Sequence, residues 1–303
     1  TSIDLSNQSL TTNFNFLDDF INLESLFLGD NQISIIDFLL SGLNLKQLTI
    51  QSNLIESINL TNLIKLEIFN GFDNLITTID FSNNVKLENI QLVSNRLTGV
   101  LSFVNLNLLN EVRTQGNPLL TGLVLTNCTS LVTLIAHNCI IDTLTDLNNC
   151  TVLETLEIYN NNLTSLDVTA NVNIKNLWYL GRSSYKLNTI DLLQNTLLET
   201  LNLGQNNFVS IHLSNNLSLV TLRLFSCLLT ALDISNNILL LDVRIHNNQL
   251  SNLVNSQLLV DLDTHGLSNG YFQSSIFGGG TLTTAGLAAK AALLLKGWTI
   301  VGL

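Results

Sequence analysis

The stretch L-E-T-L-E-I-Y-N-N-N-L (residues 153–163) decides the fold of this chain, because its spacing L-x-x-L-x-L-x-x-N-x-L recurs along most of the sequence. Other clear copies begin at Leu23, Leu198 and Leu240. The alternation L-x-L is typical of a short strand whose leucines point inward. A single copy cannot bury its apolar side, so the copies must stack into a repeat solenoid.

The copies follow one another at intervals of about 22 residues, within the range of known solenoid repeats. The residues that open them are Leu23, Leu45, Leu63, Leu87, Leu109, Leu131, Leu153, Ile174, Leu198, Leu219, Leu240 and Leu259. We expect their strands to pair in parallel and to form a curved sheet on the concave side. The asparagine of each copy should lie at the turn and bond backbone groups of its own and neighbouring coils, as a ladder of amides.

The second half of each copy is too short for an ordinary helix. Residues 232–237 (L-D-I-S-N-N) alternate like a strand and then turn, so we expect short extended segments on the convex side and few helices. Aspartates recur there at Asp37, Asp80, Asp167, Asp191 and Asp233. A calcium ladder is an alternative, but Asn59 and His212 interrupt the column, which favours a solvated outer face. The sequence therefore predicts no metal site and no cofactor.

The composition excludes several classes of protein. The chain has 303 residues, 46% of them apolar and 12% charged, which is ample for a continuous core. A net charge of −11 would repel phosphate backbones and argues against nucleic-acid binding. No apolar run is long enough for a membrane span. Methionine is absent, so we interpret the chain as a processed product or an excised segment.

The four cysteines fall on two repeat positions. Cys128 and Cys150 occupy the same position in adjacent coils, where a disulfide is geometrically conceivable, although small buried thiols fit better. Cys139 and Cys227 stand where the repeat otherwise carries asparagine, as core replacements.

Residues 268–303 depart from the repeat and read as a carboxy-terminal cap. A helix is predicted over about 283–296, capped by Thr283 or Thr284, and a strand over about 298–301. Trp298 should anchor this cap rather than contact a ligand. Phe14, Phe16 and Phe20 could close the opposite end.

These motifs resemble the leucine-rich repeat family over residues 1–267, in about 12–13 copies. The repeat length and the L-D-x-S-N-N half are most similar to bacterial arrays of the internalin-like, Bacteroidetes surface or phage structural type, and the helix followed by Gly-Trp-Thr-Ile is similar to the tail of many Bacteroidetes arrays. The resemblance implies a binding module that takes a protein or glycan on its concave sheet. The leucine-rich repeat family has no shared catalytic residues, so the resemblance implies none for this chain.

The outward strand positions are the candidate binding surface, since the inward ones form the core. Aromatic and arginine side chains are typical of binding surfaces, and planar rings suit sugars. The candidate ligand-binding residues are Trp178, Tyr159, His137, Arg223, Phe225, Arg244, His246, Arg182 and Tyr185. The columns that supply them also contain Phe69, Asp263 and His265. Scattered exposed residues are the alternative interpretation.

Two copies carry extra residues that should bulge from the coil. The copy at Ile174 is 24 residues long and contains Arg182 and Tyr185 in the bulge. The copy at Leu63 should bulge at residues 69–73. Such loops are often functional, although either could be a neutral insertion.

No nucleophile, metalloprotease or Cys–His motif is visible, so we predict that the protein is not an enzyme. The first functional hypothesis is an extracellular or cell-surface binding and adhesion module for a protein or glycan, with no membrane span. The second is a structural or assembly subunit of a phage virion or surface filament. Both hypotheses allow the protein to form a homo-oligomer or a larger assembly.

Overall fold

The computed structural model describes residues 1–11, 20, 22–36 and 44–303. Contacts divide the chain into two compact units, Thr1–Leu153 and Glu154–Leu303. The predicted fold class is confirmed, because both units are built from stacked coils with short parallel strands, and the described residues contain two α-helices. Phe14, Phe16 and Asp37, which the sequence analysis singled out, lie outside the described residues.

The first unit contains two sets of parallel strands. The main set is β1 (Ser2–Asp4), β2 (Ser25–Phe27), β3 (Gln47–Thr49), β4 (Ile68–Asn70), β5 (Asn89–Gln91), β7 (Glu111–Arg113) and β9 (Thr133–Ile135). The second set comes from the second halves of three coils: β6 (Thr98–Ser102), β8 (Leu119–Val124) and β10 (Thr143–Thr145). A short 3₁₀ turn, Leu147–Asn149, follows. The extended second halves that the sequence predicted therefore pair into a sheet here.

The second unit contains seven parallel strands and both helices. The strands are β11 (Thr155–Glu157), β12 (Asn176–Trp178), β13 (Thr200–Asn202), β14 (Thr221–Arg223), β15 (Asp242–Arg244), β16 (Tyr271–Gln273) and β17 (Thr299–Val301). Helix α1 (Asn252–His265) precedes β16, and helix α2 (Thr284–Leu295) precedes β17. Neither helix in the described part of the chain is long and apolar enough to cross a membrane.

The core is formed by the middle residue of β2–β5, β7, β9 and β11–β16 and by the apolar residues on either side of it. In register, Leu26 lies beside Leu48, and Leu156 lies beside Leu177. All four are fully buried. Because side chains alternate along a strand, the first and third residues of these three-residue strands are left on the outer side of the sheet.

Buried asparagines join each coil to the coil before it. The Asn206 amide donates to the carbonyl of Tyr179 (3.2 Å) in the preceding coil and to that of Leu203 (2.9 Å) in its own. Its Oδ1 accepts the Leu187 N–H at 2.9 Å. The same donation to the preceding coil and acceptance from it are made by the part-buried Asn31 and by the buried Asn53, Asn74, Asn95, Asn117 and Asn248. The amides therefore bond backbone groups, as predicted.

A second column of asparagines, in the second half of the coils, also donates to the coil before it. The Asn237 amide donates to the carbonyls of Leu213 (3.0 Å) and Asn216 (2.9 Å). Asn84, Asn195 and Asn216 make the same pair of bonds one coil back. The recurring aspartates lie in the turns that precede this column.

The recurring aspartates close turns. Asp233 Oδ1 accepts the Ser235 N–H at 2.9 Å, and Asp80 and Asp167 accept in the same way from the residue two places on. The Thr169 hydroxyl and then its N–H hold the pKa of the Asp167 carboxyl below the ordinary value, and the Ser235 N–H does the same for the pKa of Asp233. Among the described residues no group of three or more His, Cys, Asp or Glu could hold a metal ion. The aspartates therefore recur at this position because their carboxylates close turns, and not only because the position is exposed to solvent.

The prediction for the copy at Leu63 is wrong in register. Phe69, expected on the outer side, is the fully buried middle residue of β4 and pairs with Leu48 and Ile90. The repeat therefore opens at Leu66, and residues 69–73 are not a bulge. Leu63, Leu66 and Phe69 are three residues apart, so the sequence alone admits both registers. Gly71 replaces a strand leucine because a side chain there would meet the Phe69 ring at 2.9 Å.

The prediction for the copy at Leu259 is also wrong, because these residues form α1. Ser251 Oγ accepts the Val254 N–H, which caps the helix, and Gly266 ends it with a left-handed backbone (φ 77°). The spacing L-x-x-L fits one face of a helix as well as the start of a coil. Asp263 and His265 are consequently not on the strand face.

The carboxy-terminal elements lie where the sequence places them. Thr283 caps α2, and Trp298 is buried with its indole N–H donating to the Leu267 carbonyl at 2.8 Å. The Trp298 ring covers Gly270, where a Cβ would meet it at 2.5 Å. Phe20 is exposed. A boundary between repeats and cap at residue 267 stays a prediction.

All four cysteines are buried thiols without disulfides, so the thiol interpretation of Cys128 and Cys150 is confirmed. The Cys139 and Cys227 sulfurs replace the ladder amide and point to the carbonyls of Thr114 and Leu203, each at 3.5 Å. Burial raises the pKa to about 12 for Cys128 and Cys150 and to about 11 for Cys139 and Cys227.

We expect Asn206→Ala to lower the free energy of unfolding by at least about 2 kcal/mol, because it removes the amide and leaves buried backbone groups in two coils without partners. Urea unfolding followed by circular dichroism measures this change. Asn236→Ala, at an exposed asparagine, is the control and should shift the midpoint little. Equal shifts for both variants would contradict the role of the ladder.

We expect the four thiols to be unreactive toward a disulfide reagent at about pH 8, since the reactive thiolate is scarce below the raised pKa values. All four should react once the chain is unfolded in guanidinium chloride. A count of released chromophore in the two states tests this expectation. Rapid reaction of any thiol in the folded chain would contradict it.

Candidate binding surface on the outer side of the strands

We define the outer strand face of the second unit as the outward side chains of β11–β16 and the residue two places past each strand. The first two columns are the first and third residues of each strand. The third column is Tyr159, Leu180, Gly204, Phe225, His246 and Ser275. Residues of one column lie about 5 Å apart from coil to coil. This face is half-buried rather than core, so its side chains are available for contacts.

Two aromatic pairs lie on this face. The rings of Tyr159 and Trp178 are tilted, with centroids 6.4 Å apart. The rings of Phe225 and His246 are stacked, with centroids 5.4 Å apart and planes 7° from parallel. Gly204 makes room for the second pair, because a Cβ at this position would meet the Phe225 ring at 2.7 Å. The glycine therefore lets the ring lie flat over the strand.

An arginine–aspartate–arginine network lies next to the aromatic pairs. Asp242 Oδ2 accepts from Arg223 Nη2 at 2.7 Å, and its Oδ1 accepts from Arg244 Nε at 2.8 Å. The Arg244 guanidinium also lies 4.8 Å from the centre of the Tyr271 ring, a cation–π geometry. One carboxylate thus fixes the orientation of two guanidinium groups.

The charges of this network act on His246. Burial lowers its pKa, and the positive charge of Arg244 lowers it further, because both disfavour the protonated ring. Arg244 itself has a raised pKa, chiefly because of its hydrogen bond to Asp242. The imidazole that stacks on Phe225 is therefore neutral over a wider range of pH than an ordinary histidine.

Asn202 lies between Trp178 and Arg223 in the same column of the sheet. Its exposed fraction is only 5%, and its Oδ1 has no hydrogen-bond partner. A buried acceptor without a partner costs about 1–3 kcal/mol. Asn202 is thus an unsatisfied polar group in the middle of the outer strand face.

The expected bulge in the copy at Ile174 is present. Arg182 and Tyr185 exchange two backbone hydrogen bonds (3.0 and 2.8 Å) across a tight turn just past β12. Both side chains are exposed. Tyr179, at the last strand leucine of this coil, is buried, and its hydroxyl donates to the Leu163 carbonyl at 2.6 Å. This bond joins the coil to the preceding one, in a coil where Arg182 stands at the position of the ladder asparagine.

The structure brings together most of the residues that the sequence proposed. Six of them lie on the outer strand face of the second unit or its immediate column: Tyr159, Trp178, Arg223, Phe225, Arg244 and His246. Arg182 and Tyr185 lie on the turn past β12. His137 belongs to the first unit, where Asn138 contacts its Nδ1 at 2.9 Å and burial lowers its pKa.

Sequence reasoning missed three residues of this surface. Asp242 is the first residue of β15, and its position opposite Thr221 places it within reach of two arginines. Tyr271 falls within the predicted cap, because the last repeat copy was predicted at Leu259, where the structure has α1. The repeat pattern predicts that Asn202 faces outward. Nothing in the sequence indicates that its side-chain amide oxygen lacks a hydrogen-bond partner. The alternation Tyr271-Phe272-Gln273 was the one available signal for β16.

Comparison with known proteins identifies the fold. No family model matches the chain, and no curated protein matches it. Among solved structures, an internalin of Listeria monocytogenes, InlF, matches at TM-score 0.71 and 19% identity, over 99% of this chain and 79% of its own. The functional domain of InlJ from the same organism, described as including a cysteine ladder, matches at TM-score 0.64 and 24% identity, over 91% and 68%.

A third solved structure, the leucine-rich repeat domain of APL1B, matches at TM-score 0.71 and 18% identity, over 98% of this chain and 86% of its own. At these identities the similarity concerns the fold alone. The protein therefore has the leucine-rich repeat solenoid fold, as the repeats and their register independently require.

We expect Arg244→Gln to raise the pKa of His246, because a nearby positive charge that disfavours the protonated ring is removed. The pKa should stay below the ordinary value, since burial still acts. Titration of the imidazole resonances by NMR measures the shift. Lys290→Gln, at a lysine bonded to the Leu303 carbonyl, is the control and should leave His246 unchanged.

Proposed function

We propose that the protein is a non-enzymatic binding and adhesion module that holds a protein or glycan on the outer strand face, the face that the repeat pattern predicts to be concave. The observation that carries this proposal is the pair of aromatic contacts, Tyr159 with Trp178 and Phe225 with His246, beside the Arg223–Asp242–Arg244 network. Partly exposed aromatic and arginine side chains held in fixed geometry are the usual anchors of binding interfaces.

The second functional feature is the turn at Arg182–Tyr185. It departs from the coil next to β12, the strand that carries Trp178, and presents two exposed side chains. A loop that breaks a repeat on the side of a candidate surface is well placed to contact the same partner. An extracellular or cell-surface location, with no nucleic acid as partner, is the setting that we propose for this activity.

A structural or assembly subunit, of a phage virion or surface filament, is a second candidate. The carboxy-terminal helix α2 favours it, because Leu287, Leu294 and Leu295 are exposed by 53, 50 and 91%. Residues 268–303 also contain no acidic residue, although the whole chain has 23. Light scattering after size-exclusion chromatography separates the two candidates. A monomer favours the binding module, and a defined oligomer or polymer favours assembly.

We expect Trp178→Ala and Phe225→Ala each to weaken partner binding by about 30-fold or more, as truncation of an aromatic anchor typically does. Both side chains lie outside the core, so the unfolding midpoint should change little. Partners are identified on glycan and protein arrays, and affinities are measured by calorimetry.

Phe277→Ala is the matched control, because Phe277 is an exposed aromatic residue away from the strand face. It should leave binding unchanged. Full affinity in the Trp178 and Phe225 variants would show that the partner binds elsewhere.

A further inference from the structure

Two arginines lie close together on the outer strand face, although the chain as a whole is strongly negative. The chain carries a net charge of −11. The outward strand positions of β12–β16 hold Asn176, Trp178, Thr200, Asn202, Thr221, Arg223, Asp242, Arg244, Tyr271 and Gln273. Two arginines stand there against one aspartate, and Glu157 of β11 lies three strands away from Arg223 in the same column. A local positive charge in an acidic protein selects a ligand group of negative charge.

The two guanidinium groups retain unused donors. A guanidinium has five N–H donors; Arg223 directs its Nε and Nη2 to Asp242, and Arg244 directs its Nε. Their side chains remain 27 and 39% exposed. Asp242 and the Tyr271 ring hold the remaining N–H groups in place, and such a rigid fork matches a carboxylate or sulfate.

The neighbouring positions are suited to hydroxyl groups. Asn202 has a buried Oδ1 without a partner, which a hydroxyl donor from a ligand would satisfy. The first column of β11–β14 presents Thr155, Asn176, Thr200 and Thr221, all neutral hydrogen-bonding side chains. The rings of Trp178 and Phe225 belong to coils two strands apart, and the strand positions between them carry polar side chains. Separated rings among hydrogen-bonding groups match a polyhydroxylated ligand.

From these observations we propose that the ligand is an anionic glycan, a short oligosaccharide or chain end that carries a carboxylate or sulfate. Arg223 and Arg244 hold the anionic group, Asn202 and the threonines bond hydroxyls, and the rings of Trp178 and Phe225 contact the apolar faces of sugar units. This inference rests on the proposed binding function and assigns the chemical class of its ligand. A long polyanion is disfavoured, because the remaining charge of the chain would repel it.

The test is calorimetric titration of the full chain with three matched sets of tetrasaccharides: uronic acids, their carboxyl-reduced neutral counterparts, and sulfated sugars of the same length. We expect acidic sugars to bind at least about tenfold more tightly than neutral ones. The uronic and sulfated sets distinguish which anion is preferred. No preference for any acidic sugar over its neutral counterpart would overturn the inference.

Variants separate the role of charge from the role of the rings. Arg223→Gln and Arg244→Gln should each weaken acidic sugars about tenfold and leave neutral sugars unchanged, whereas Trp178→Ala should weaken both. Lys290→Gln removes a positive charge elsewhere in the unit and should change neither. Equal loss of acidic and neutral sugars in the arginine variants would also overturn the inference.

The glycan inference and the binding function fail in different ways. A protein or acidic peptide that loses affinity in the Trp178 and Phe225 variants, while no acidic sugar binds, overturns the glycan inference and leaves the binding function in place. A partner whose affinity is indifferent to all four substitutions overturns both.

Discussion

A buried amide that serves two coils is the interaction on which this structure depends. Short strands of three residues leave many backbone groups of each coil unpaired at the turn. An asparagine side chain has both donors and an acceptor, so at Asn206 one residue closes its own turn and satisfies the coil before it. Cys139 and Cys227 supply only a weak substitute, and Tyr179 reaches the same region with its hydroxyl where the chain bulges. The register of the whole array follows from these fixed points.

The register in turn determines which residues are available for binding. With Leu177, Leu201 and Leu222 committed to the core, the residues on either side must face outward. The outward positions, where Trp178 and Arg223 lie, are therefore free of the packing constraints that act on core residues. A glycine at position 204 adds a further degree of freedom, because it lets an aromatic ring from the next coil lie against the strand.

Periodicity predicted the fold and most of the candidate surface, and it failed where one spacing serves two structures. Leu63, Leu66 and Phe69 fit two registers, and the leucines at 259 and 262 fit a helix as well as a coil. In both places the decision came from features outside the motif: the packing of Phe69 against Gly71, and the Ser251 and Gly266 caps of α1. The Arg223–Asp242–Arg244 network could not be predicted, since it depends on side-chain conformations across two strands rather than on sequence spacing.

The ladder also gives the chain a direction. Each ladder asparagine reaches back to the coil that precedes it, as Asn53 does to Leu28 and Ile33. During synthesis, a coil that has left the ribosome therefore has its own asparagine but lacks the amide of the following coil until that coil has emerged. Folding along such an array must follow translation at a distance of about one repeat. The two ends of any shortened array would consequently differ in chemistry. One end keeps an asparagine with no preceding coil to bond, and the other keeps backbone groups that the asparagine of the next coil would have bonded.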